Sequence, residues 1–213
     1  MQPDRRFVLL APLALGACGG LPGFGPPDNV YDLSPKSTFT PSLPTVEWQL
    51  VVEEPTASGG LDSPRIALKP NAYELRYFAT SRWTARAPVM VQTLMVESFE
   101  NTRKIVAVGR ETVGLRSDYN LKTDLREFQA EYFDSATKPT VRVSMRARLV
   151  RQPRQDIVAN RAFESAVMAA DANFNSVLAA FDDALNRVLK GIVEWTLTSV
   201  PPERPGRRTT PAA

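Results

Sequence analysis

Few side chains in this sequence could do chemistry, and the thiol of Cys18 is the one that needs explaining. The 213 residues include no histidine and one cysteine. Without histidine the chain lacks the commonest general base and the commonest metal ligand. With one cysteine it can form neither an intrachain disulfide nor a thiolate metal cluster. Serine, threonine and carboxylates are plentiful. No nucleophile elbow, phosphate-binding glycine loop or paired-carboxylate motif arranges them. The sequence therefore offers no catalytic, cofactor-binding or metal-ligating residue, and the expectation is of a protein that is not an enzyme.

The surroundings of Cys18 suggest what its thiol is for. Arg5 and Arg6 make a short positive region, and residues 7–15 form an apolar run of nine. That run is too short to cross a bilayer, which takes about 20 residues, but it suits the core of an export signal. The small residues Gly16 and Ala17 then lead to Cys18. The run Leu15-Gly16-Ala17-Cys18 is similar to the bacterial lipobox. In signals of that kind the thiol receives a diacylglyceryl group, the chain is cut between Ala17 and Cys18, and the new amine is usually acylated. Each buried methylene is worth about 0.8 kcal/mol, so two or three acyl chains hold where a single one does not. An aspartate after such a cysteine often means retention at the inner membrane. Here Gly19 follows, which favours the outer membrane, with the protein facing the periplasm.

Proline and glycine crowd residues 18–44, among them Pro22, Pro26, Pro27, Pro35, Pro41 and Pro44. A segment of that composition is expected to be a tether, ordered only where an aromatic docks. Residues 201–213, rich in proline and arginine, read as a disordered tail. Between them, residues 45–200 form the folded domain. The pI of 9.2 invites a nucleic-acid reading, but residues 34–200 carry 21 basic and 19 acidic side chains, a net of 21 − 19 = +2. That is no footprint for a nucleic-acid binder.

Within the domain the periodicity predicts strands over residues 46–53, 65–69 and 73–78, with a turn at Pro70-Asn71 between the last two. A helix from about Pro88 follows, with Val91, Leu94, Met95, Ser98 and Phe99 on its apolar stripe. Residues 105–108 read as a short strand. Leu121, Thr123 and Leu125 then face one way before Phe128, Ala130 and Tyr132 take the opposite parity, which predicts a β-bulge near Arg126-Glu127. Val141, Val143, Met145, Ala147 and Leu149 alternate cleanly with polar neighbours. A hairpin through Gln152-Pro153-Arg154 joins that strand to one over residues 156–166. The last element is a long amphipathic helix, capped by Asp171, whose stripe runs from Phe174 through Phe181 to Ile192. Strands, helix, strands and helix fit an α/β fold, a single mixed β-sheet with helices packed on its faces.

Several of these stretches together resemble the auxiliary lipoproteins of ABC-type transport systems, in particular the paraquat-inducible protein C type that accompanies MCE-domain lipid transporters. The likeness is carried by Tyr31-Asp32-Leu33, Leu61-Asp62-Ser63-Pro64-Arg65-Ile66, Leu75-Arg76-Tyr77-Phe78-Ala79, Arg82-Trp83, Tyr119-Asn120-Leu121, Asp124-Leu125-Arg126-Glu127-Phe128, Phe181 and Glu194-Trp195. It implies a three-layer arrangement of the TolB N-terminal, anticodon-binding-like type. It also implies a role in moving phospholipid or another hydrophobic compound between membranes. The implied partners are an MCE-domain protein and an ABC permease and ATPase, with room for a homo-oligomer. The family brings no catalytic residue. A lipoprotein that regulates a cell-envelope enzyme, such as a peptidoglycan synthase, would share the tether and fold, and copurification separates the two readings.

Two surfaces remain to be assigned. Arg142, Arg146, Arg148, Arg151 and Arg154 form a basic edge able to hold lipid phosphates. Pairing with Asp124, Glu127 and Glu131 across neighbouring strands is the more economical expectation. Tyr73, Tyr77 and Phe78 are expected to close a core. Trp83, between Arg82 and Arg86, reads as loop-borne and exposed, so Arg82 and Trp83 are the candidate partner contact.

Overall fold

The computed structural model describes residues 29–111, 116–133 and 138–200. The expected export signal with Ala17, the expected lipid anchor Cys18, the first part of the expected tether and the tail 201–213 lie outside the described residues. The elements are β1 (Asn29–Tyr31), β2 (Val46–Val52), β3 (Thr56–Ala57), β4 (Arg65–Asn71), β5 (Glu74–Trp83), α1 (Ala87–Thr102), β6 (Ile105–Arg110), β7 (Tyr119–Glu131), β8 (Thr140–Arg151), β9 (Asp156–Met168) and α2 (Phe174–Ser199). All nine strands belong to one mixed sheet, the fold class that the sequence predicts.

Its backbone is the antiparallel meander β7–β8–β9, in register from Tyr119 opposite Arg151 to Glu131 opposite Thr140 and on to Met168. Period-two alternation dictates its faces. Val141, Val143, Met145, Ala147 and Leu149 are all buried beneath the helices, while the residues between them face outward. In β7 the register slips by one residue between Leu125 and Glu127. This is the predicted bulge, and it lets Leu125 and Phe128 both point inward. The β8–β9 turn falls at residues 152–155, as predicted.

The other flank of β7 is shared by three parallel strands laid end to end. Leu50 pairs with Tyr119, Thr56 with Asp124, and Ala67 with Gln129. From this row the sheet forks, with β6 added beyond β2 in one branch and β5 and β1 beyond β4 in the other. The entry to α1 fills the fork. The Ala87 N–H donates to the Ser63 carbonyl at 3.1 Å. The buried Gln92 side chain donates to the Val52 carbonyl at 2.9 Å, where β2 ends. A buried carbonyl left without a donor there would cost about 1–3 kcal/mol, so Gln92 does what a further strand would have done.

α1 buries the predicted stripe and closes on Arg103 in the left-handed conformation. α2, about 39 Å long at 1.5 Å per residue, buries Val177, Phe181, Leu185, Val188, Leu189 and Ile192. Its N-cap is Asn173 and not Asp171 as expected. The Asn173 side chain accepts from the Asn175 N–H at 3.0 Å. Asp171 accepts from the Asn173 N–H one step earlier. Bonds from Ser176 and then Asn173 hold its carboxyl below the ordinary range. The predicted turn at Pro70-Asn71 also shifts, because both residues still belong to β4. Ala72 and Tyr73 make the turn, and the Asn71 side chain accepts from the Tyr73 N–H.

α1 and α2 touch each other side by side, and their buried residues share one core cluster on one face of the sheet. Of the three layers implied by the resemblance, the described residues thus form two, sheet and helix pair. The arginine-rich alternation of β7 and β8 leaves the opposite face polar.

Candidate functional site

The expected tether departs from its reading where it is described. Residues 29–44 do not hang free but lie as a strap across the helix pair. β1 joins the sheet edge in parallel with β5, Asn29 opposite Ser81 and Tyr31 opposite Trp83. The Tyr31 ring meets Phe174 edge-on at 5.0 Å. Ser34 then donates its N–H and hydroxyl to the Asp182 carboxylate at 2.7 and 2.8 Å. Asn186 donates to the Ser34 carbonyl at 3.1 Å. Across the groove, the buried Ser98 hydroxyl of α1 accepts from the Lys36 N–H at 2.9 Å, and Asn101 donates to the Lys36 carbonyl at 3.0 Å. The strap returns to α2 at Thr40, whose N–H and hydroxyl both reach Glu194 at 2.8 Å, and it ends on the buried Leu43. Helix side chains satisfy the backbone where strand partners are lacking, so a proline-rich segment with little apolar surface is ordered all the same.

Trp83 is the clearest correction. It was expected to be exposed, yet it is fully buried (0% exposed) at the end of β5. Its ring lies 5.5 Å from Phe128 and 5.3 Å from Phe181, and those two are 5.2 Å apart. This aromatic trio joins β5, β7 and α2. The cause is a second bulge. Two steps along β4, from Arg65 to Ala67, oppose five along β5, from Arg82 to Tyr77. Within the excess, Thr80 takes φ 53°, a conformation that a β-branched residue adopts only under constraint. Phe78 and Trp83 are an odd number of residues apart, and the bulge lets both turn toward the helices. Arg82 stays exposed, so the structure separates the two residues offered as one contact. Arg86 pairs with Asp62 and Glu54. Bonds to Asp62 and then Glu54 raise its guanidinium pKa, and the pairs clamp the loops of the fork together.

On the polar face, two of the five arginines of the basic edge, Arg142 and Arg148, are paired with carboxylates as the economical reading expects. Arg148 grips Asp124 through two nitrogens at 2.7 and 3.2 Å, and Thr56 adds a hydroxyl at 2.9 Å. Partial burial pushes the Asp124 carboxyl up, but the bonds from Arg148 and Thr56 outweigh it and leave the group below its ordinary range. Arg142 is ringed by Glu131, Glu164 and Glu127. Burial lowers its pKa, and the bond to Glu131 leads the contacts that reverse this and leave it raised. Arg146, between them, keeps a buried Nε without a hydrogen-bond partner.

Among the described residues no cluster of acidic, histidine or cysteine side chains could hold a metal, and no helix is long and apolar enough to cross a membrane. The geometry is that of a packed body with a strapped N-terminal approach.

Comparison with known proteins places this geometry. Residues 31–193 match the model of the ABC-type transport auxiliary lipoprotein component. The chain is similar to an uncharacterised protein of Bradyrhizobium diazoefficiens, 30% identical over 170 residues, which are 80% of this chain and 45% of that protein. The chain thus spans less than half the length of that relative. A crystal structure of a protein from Xanthomonas campestris is 34% identical with a TM-score of 0.76, covering 80% of this chain and 95% of that one. A second crystal structure, of an uncharacterised protein, shares the fold at 14% identity and a TM-score of 0.61, covering 78% of this chain and 97% of that one.

Proposed function

Because this chain belongs to the family of ABC-type transport auxiliary lipoprotein components, we propose that it is the non-catalytic subunit of an MCE-type intermembrane transport system. That system moves phospholipid or another hydrophobic compound. Cleavage after Ala17 and acylation of Cys18 hold the subunit at the periplasmic side of the outer membrane. The folded body acts by contact with the MCE-domain protein and the ABC permease and ATPase, as a single copy or as a homo-oligomer. One observation carries this reading: the family match begins at Tyr31 and includes the strap. The N-terminal approach and the body therefore belong to one functional unit. Pairing of Arg86, Arg142 and Arg148 with carboxylates supports a structural and not a chemical use of these charges.

Copurification tests the proposal. The full chain, tagged at its C-terminus and extracted from its own membranes in mild detergent, is expected to bring down an MCE-domain protein with its permease. An eluate holding a peptidoglycan synthase in their place, or neither partner, would overturn it.

A further inference from the structure

One end of the body carries an apolar rim that the fold leaves uncovered. The C-terminal end of β7 sits beside that of β4, with Glu131 opposite Lys69 and the Tyr132 N–H on the Lys69 carbonyl. It also sits beside the start of β8 and the end of β9, with Thr140 opposite Met168. Tyr73 in the β4–β5 turn is 98% exposed, Phe133 just past β7 is 45% exposed, and Met168 is 65% exposed. All three lie along this end, roughly 15–20 Å across at about 4.8 Å per strand. Of the other exposed large apolar residues, Val106 and Ile157 lie toward the opposite end.

The first strand also runs in the direction away from this end. β1 is parallel to β5, β5 is antiparallel to β4, and β4 is parallel to β7. Asn29 is therefore the residue of β1 that faces the end where β7 stops. Phe174, which follows β9 and opens α2, packs on Tyr31. Eleven residues lead from Cys18 to Asn29, a reach of at most about 40 Å.

We propose that the rim formed by Tyr73, Phe133 and Met168 rests on the phospholipid headgroup layer to which the chain is anchored. The inference rests on the reading that Cys18 carries acyl chains. Tyrosine and phenylalanine suit that layer, where an apolar body meets a polar boundary. Charge does little of the work, since Lys69, Arg76 and Lys138 against Glu74 and Asp171 leave a net of only 3 − 2 = +1. Contact is accordingly expected with zwitterionic and anionic lipid alike. The anchor supplies local concentration, and the rim fixes which way the body faces.

The test places a benzophenone amino acid at 73, 133 or 157 of the full chain, bound to phosphatidylethanolamine–phosphatidylglycerol vesicles and irradiated. Lipid adducts are expected at 73 and 133 and at least about tenfold fewer at 157. Equal yields at all three positions, or adducts at 73 and 133 in whole cells that are protein and not lipid, would overturn the proposal. Incorporation of radiolabelled palmitate reads the anchor separately. If Cys18 is unacylated its thiol is free, and coupling it to a maleimide lipid restores the tether for the same irradiation. Failure of the anchor and failure of the rim are thus distinguished.

Discussion

The two faces of the β7–β8–β9 meander come from the same strands, residue by residue in alternation, yet they hold together by different physics. Toward the helices, Met145, Leu149, Leu125 and Phe128 are out of water, and the Phe128 ring meets those of Trp83 and Phe181. On the other side, Arg148 with Asp124 stays partly in water, where a pair contributes about 0–1 kcal/mol, and Arg142 reaches a buried Glu131. The first face supplies the burial on which folding depends, and the second pairs charges across neighbouring strands. The strap belongs to neither face. It is held by hydrogen bonds at the helix surface, and its stability should fall between the two.

Substitutions at graded positions would sharpen that comparison. Trp83→Ala opens a cavity in the aromatic trio and is expected to cost about 3–5 kcal/mol, measured by urea unfolding. A loss under 1 kcal/mol would show that the residue is not at the centre of the packing. Asp182→Ala removes the acceptor for the Ser34 N–H and hydroxyl and is expected to cost about 1–2 kcal/mol. Hydrogen exchange should rise at residues 33–36 and stay unchanged in β8. Uniform acceleration would mean that the strap and the body open together.

On the polar face the expected effect is smaller and depends on pH. The Asp124 carboxyl lies below its ordinary 3.8 in the folded state, so the folded protein takes up this proton less readily than the unfolded chain. The stability from the Arg148 pair is complete above about pH 4 and is lost as the pH falls through the folded value. Asp124→Asn should cost at most about 1 kcal/mol at pH 7 and flatten the acid limb of the unfolding curve. An unchanged acid limb would show that the pair does not contribute. Smallest of all, Tyr73→Ser should leave stability within about 0.5 kcal/mol, since nothing in the fold depends on that ring.

What the sequence made legible followed periodicity. β8 alternates without fault, and the parity switch between Leu125 and Phe128 located the bulge in β7. The same signal was present in β5, where Phe78 and Trp83 stand on opposite parities. The flanking Arg82 and Arg86 make that stretch look like a loop, which hides the bulge. The strap was hidden for a different reason. Its composition forbids a core, and its partners Asp182 and Glu194 lie 148 and 154 residues away. Local reading cannot see such pairings. Cys18, the proposed anchor, shows the converse, being plain in the sequence and lying outside the described residues.

The account depends most on that cysteine, and the mass of the N-terminal peptide of the protein taken from its own membranes tests it directly. The prediction is a chain that begins at Cys18, with a diacylglyceryl thioether and an acylated amine. A peptide that retains residues 1–17, or begins at an unmodified Cys18, would contradict it.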